Sequence, residues 1–98
     1  MQREHLLWRG VRITVRHGAA PKNRSLYRFA ILAVAPANAL LPLATPPYGF
    51  HYLGKDELKP YAAFADYLVQ RFEQDAPPGM LLHNAKARQK ARQLRLDL

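Results

Sequence analysis

The chain has 98 residues, 49% of them hydrophobic and ten aromatic, which fits one small folded domain with a single core and excludes a disordered chain. It has no cysteine, so neither a disulfide framework nor a thiolate metal site can be built. A formal charge of +8 directs attention to polyanionic partners, nucleic acid or an acidic protein surface.

The opening run QREHLLWRGVRITVRHG predicts a β-hairpin turning at Arg9-Gly10. That register sets Trp8 opposite Val11, Leu6 opposite Ile13 and Glu4 opposite Val15. Leu6, Trp8, Val11, Ile13 and Val15 then share a core face, because side chains alternate with period two. Arg3, His5, Leu7, Arg12, Thr14 and Arg16 fall on the other face. Arg9, in the turn, belongs to neither. HGAAPKNRS (17–25) reads as a loop, and LYRFAILAVA (26–35), continuously apolar after Arg28, as a central strand.

Four prolines in PANALLPLATPPYG (36–49) forbid regular helix or central strand and predict an irregular crossing segment. YGFHYLG (48–54) predicts a short fourth strand with Tyr48, Phe50 and Tyr52 on one face and His51 and Leu53 on the other. Tyr48, Phe50 and Tyr52, with His51 alongside, could stack bases as sheet aromatics do in RNA-binding folds, but three large aromatics on one face suit the core beneath a helix better.

Tyr61, Phe64, Ala65, Leu68 and Phe72 recur at helical spacing, with Ala63, Asp66, Gln70, Glu73 and Gln74 on the far side. Pro60 suits a first helical turn, which places the start near 59, with Asp56 as an alternative cap, and Pro77-Pro78-Gly79 ends the helix. The last block is rich in helix formers, but its cations do not segregate: Lys86 and Lys90 lie on one side, Arg88, Arg92 and Arg95 on another, beside a narrow stripe of Ala87, Ala91, Leu94 and Leu98. It reads as a weakly docked helix or a tail that orders on binding. The expected fold is therefore α+β: a four-stranded, mainly antiparallel sheet with one amphipathic helix on one face, forming a domain over 1–78, and a basic extension over 79–98.

The run LLWRGVRITV, followed by YRFAILAV, YGFHYL and one helix, resembles a group of small uncharacterised proteobacterial proteins. In that group a Trp-Arg-Gly hairpin precedes a GYRSHF-like strand and a helix with alternating aromatics, often on plasmids, prophages and other mobile elements. The resemblance spans roughly residues 5 to 74 and implies the same sheet-and-helix fold, with no activity to carry over. The chain departs from the group at TPPYGF and in its basic extension.

Charge is unevenly laid out. Residues 1–54 hold seven basic side chains against Glu4, residues 55–75 three against five acids, and residues 76–98 five against Asp97. The four histidines, His5, His17, His51 and His83, have no ligand spacing, and Ser25 lacks a nucleophile elbow. No phosphate-cradling glycine loop is present either, so no enzyme, metal site or cofactor is expected. Charge within the first four residues, and no apolar run near the roughly 20 residues of a spanning helix, lead us to expect a cytoplasmic protein.

Two functions follow as expectations. The first is a small accessory protein binding nucleic acid through Arg3, Arg12, Arg16 and Arg28 on the sheet and Lys86, Arg88, Lys90, Arg92 and Arg95 in the extension. The second, by fold-level analogy, is a protein-docking inhibitor or adaptor of a mobile element, as anti-CRISPR proteins are. It would dock through an apolar patch of Leu41, Leu43, Pro47 and Tyr48, and a free edge strand could pair two copies into a homodimer.

Overall fold

A computed structural model describes residues 1–43 and 49–96 of the chain. Strands β1 (Gln2–Trp8), β2 (Val11–Ala19), β3 (Leu26–Ala35) and β4 (Phe50–Gly54) pair in sequence order as an open antiparallel sheet. Two helices, α1 (Phe64–Asp75) and α2 (Pro78–Leu96), complete an α+β fold.

The hairpin adopts the expected register, Trp8 facing Val11, Leu6 facing Ile13 and Glu4 facing Val15. Arg9 and Gly10 make the turn with φ of 48° and 80°, positive at both positions as a tight hairpin requires. A left-handed arginine is uncommon, and α1 holds this one in place. Its Nε and Nη2 donate to the two carboxylate oxygens of Glu73 at 2.6 and 2.9 Å, and Trp8 Nε1 donates to the same carboxylate at 2.9 Å. The Arg9 guanidinium keeps the Glu73 carboxyl below its ordinary range.

Trp8, Val11, Ile13 and Val15 are buried on one face of the sheet. Helix α1 lies along that face and presents Phe64, Leu68 and Phe72, four residues apart and so on one side of the helix. Phe72 meets Trp8 at a ring separation of 5.2 Å, and Phe64 stacks on His17 at 4.2 Å. Each such buried apolar side chain contributes about 1.5–3 kcal/mol relative to exposure. The β2–β3 register shifts between Thr14 and Val15, and Leu32 is left without a cross-strand partner and exposed.

The helix start needs correction. Helix α1 begins at Phe64, not near 59: a 3-10 turn over Lys55–Leu58 leaves β4, Asp56 caps nothing by its side chain, and Pro60 has no N–H with which to join a continuous helix. Pro77-Pro78-Gly79 ends one helix and starts another. Pro78 takes the first position of α2, where its missing N–H costs nothing, and Met80 and Leu81 pack against the main core while Ala87 is buried. The basic extension is thus a helix, one of the two forms expected of it.

The crossing segment is also less open than expected. Leu41 is buried and Leu43 packs against the core, because α2 clamps this stretch from outside. Buried Asn84 accepts from the Leu40 N–H at 2.7 Å and donates to the Leu40 carbonyl at 2.9 Å, while His83 contacts the Asn38 carbonyl at 2.8 Å. Of the apolar patch expected from Leu41, Leu43, Pro47 and Tyr48, Leu41 is buried and Leu43 half-buried, while Pro47 and Tyr48 lie outside the described residues.

Candidate functional site

Strand parity decides which side chains occupy the face opposite α1. Across the four strands, Arg3 pairs with Arg16, Arg16 with Ala30 and Ala30 with Phe50; one row along, Gly18 pairs with Arg28 and Arg28 with Tyr52. Arg12 lies towards the hairpin, between Leu7 and Ala35. All of these point away from the core, and no Asp or Glu shares this face among the described residues. His5 joins it, hydrogen-bonded to Thr14 at 2.9 Å.

Phe50 and Tyr52 belong to this open face, 39% and 57% exposed, which corrects the expectation that they lie beneath the helix. The pairing of β4 with β3 decides it: His51 opposite Phe29, and Leu53 opposite Tyr27, take the covered side. The His51 ring stacks on Phe29 at 5.0 Å. On the open side the Arg28 guanidinium lies over the Phe50 ring at 4.3 Å, with Arg16 at 5.7 Å from the same centroid. The Nε of Arg28 is shielded from solvent and has no hydrogen-bond partner, so this guanidinium is positioned by stacking and packing and not by a carboxylate.

Three cations elsewhere, Arg9, Lys59 and Arg71, are paired with Glu73, Asp56 and Asp75 at 2.6, 2.9 and 2.8 Å. Among the described residues, Arg3, Arg12, Arg16 and Arg28 enter no such pair, and neither do the cations of α2.

Helix α2 extends the cationic surface beyond the hairpin. Arg88 reaches the turn so closely that a β-carbon on Gly10 would lie 2.3 Å from its Nη1. A cleft of about 300 Å³ opens there, lined by Leu7, Gly10, Arg12, Arg88 and Arg92. Lys86 and Lys90 are exposed on another side of the helix, away from this cleft, and the side chain of Arg95 lies outside the described residues. The structure therefore brings together Arg3, Arg16 and Arg28 at one end of the open face and Arg12, Arg88 and Arg92 at the other. A roomier cleft of about 600 Å³ lies at the β1 edge against α1; it borders the open face at His5 and Leu7, and its lining includes Asp66 but no Lys or Arg.

The histidines are dispersed. His17 is buried, with Nδ1 against the Tyr27 hydroxyl and Nε2 at 3.4 Å from Glu4, too poorly aligned for a hydrogen bond. Burial pushes its pKa down, and the Glu4 carboxylate offsets part of that. His5 and His83 hold Thr14 and the Asn38 carbonyl, far apart on the fold.

The signal sequence reasoning missed was β4. Its apolar-polar alternation fits either face, and only pairing to β3 selects one. In comparison with known proteins, the chain matches no family model, no curated protein and no solved structure.

Proposed function

We propose that this protein binds nucleic acid through the open, arginine-lined face of its sheet, with the cationic side of α2 alongside. One observation carries the proposal: Arg3, Arg12, Arg16 and Arg28 share one sheet face without a single acid on it among the described residues. An unneutralised row of guanidinium groups gains most from phosphates, whose condensed counterions are released on binding. Arg88 and Arg92 continue the row past the hairpin. Of the residues the protein-docking alternative was expected to use, Leu41 lies in the core.

Binding of a labelled oligonucleotide measured against salt tests the proposal. With four or more phosphate contacts, log K should fall with log salt at a slope of about −3 to −4 or steeper. The double change Arg12→Glu, Arg16→Glu should abolish binding and leave the thermal melt in place, because both side chains are exposed. Lys90→Glu with Arg92→Glu should weaken it less, and is preferable to truncation, which would remove the Asn84 clamp. Absent binding, or binding indifferent to salt and to these changes, overturns the proposal.

A further inference from the structure

We infer that the nucleic acid bound on this face is single-stranded, with an unpaired base stacked on Tyr52 and the adjoining phosphates held by Arg16 and Arg28. The inference rests on the nucleic-acid proposal and adds to it the class of substrate.

A face serving only as an electrostatic contact to duplex has no use for exposed aromatic rings, because paired bases keep their faces within the helical stack. Here two aromatics stand on the open side of β4, two positions apart and so about 7 Å from one another along the strand. A base can meet an exposed ring of this kind only when its own face is out of the duplex stack, as in an extended single strand.

The two rings have different roles. Phe50 is occupied: the Arg28 guanidinium lies over it at 4.3 Å and Arg16 stands near. Phe50 is thus a support that holds two cations at a defined height above the sheet. Tyr52, more exposed than Phe50 and directly across from Arg28, is the ring left for a base. Charge and stacking surface are thereby set side by side, with no carboxylate on this face among the described residues to repel a phosphate.

The test compares a twelve-nucleotide oligothymidylate, the matching oligouridylate and a duplex of equal length by fluorescence anisotropy, each over a range of salt. The wild-type chain should prefer either single strand to the duplex. Tyr52→Ala should weaken single-strand binding about 5- to 150-fold, the range for loss of one base-aromatic stack, with duplex binding and the salt slope unchanged; Tyr52→Phe should restore it. Phe50→Ala should lower single-strand affinity as Arg16 and Arg28 lose their support. Equal binding of duplex and single strand that is insensitive to Tyr52→Ala overturns this inference and leaves the basic-face proposal standing. Failure of all three probes to bind overturns both. A circular-dichroism melt of each variant separates loss of contact from loss of fold.

Discussion

The two faces of one sheet obey the same alternation and yet do opposite things. On the covered side, Trp8, Val11, Ile13 and Val15 meet Phe64, Leu68 and Phe72, and the buried ionisable side chain among them, His17, is held by Tyr27 and flanked by Glu4. On the open side, guanidinium groups, small residues and two aromatics face outwards. A solvated sheet face of a soluble domain normally interleaves both signs of charge. This one carries a single sign. Arg9 and Arg28 make the contrast concrete: Arg9 spends its donors on Glu73 to fix a strained turn, while Arg28 rests on an aromatic ring with its charge unneutralised. Folding therefore depends on one face and leaves the other available.

The largest expected effect lies where that division is sharpest. Trp8→Ala should cost about 3–5 kcal/mol, as for other fully buried large aromatics, a large part of the roughly 5–15 kcal/mol that holds a domain together. Tyr52→Ala, on the open face, should change stability by about 1 kcal/mol or less. Chemical denaturation of both variants measures the difference. Comparable losses would mean that the open face is part of the core after all.

Asn84→Ala asks how far the covered side extends into α2. The Asn84 amide satisfies both backbone groups of Leu40 within a part-buried contact, and removing it strands a donor and an acceptor. A loss of about 1–3 kcal/mol is expected from unsatisfied groups of this kind. A negligible change would place α2 outside the cooperative unit, as the expected boundary near 78 would have it.

The hairpin was legible in the sequence because period-two alternation and a glycine turn point to the same register, and Trp8 through Val15 fell where parity required. The α1 face was legible for the same reason at helical period, from Phe64, Leu68 and Phe72. The helix start was not, because Pro60 is compatible with a first turn and with a turn that ends beforehand. Nor was the docking of α2: its contact with the crossing segment depends on Asn84 and His83, polar residues that a hydrophobic pattern leaves invisible. The arginine row was legible as alternation, but its lack of carboxylate partners was not, since pairing joins residues as distant as Arg9 and Glu73. Phe50 and Tyr52 were assigned to the wrong side because a five-residue strand carries too little pattern to outweigh the general tendency of aromatics to be buried.

The smallest effect expected is one of pH, and it distinguishes the two faces by their tolerance of charge. His17 is stacked on Phe64 from α1, hydrogen-bonded to Tyr27 from β3 and flanked by Glu4 from β1. Burial lowers its pKa beneath the ordinary 6.5, so the unfolded chain binds the proton first as pH falls. The stability contributed by the neutral ring is fully present above pH 6.5 and is lost progressively below it, as pH falls through the folded-state value. His17→Gln should flatten that part of the stability profile. Glu4→Gln should steepen it, because the carboxylate is the group that offsets the burial penalty, and removing it lowers the His17 pKa further. Thermal melts between pH 5 and 7.5 read both changes. An unchanged slope in Glu4→Gln would show that the covered face accommodates the imidazolium without help, and the contrast with the open face would then rest on packing alone.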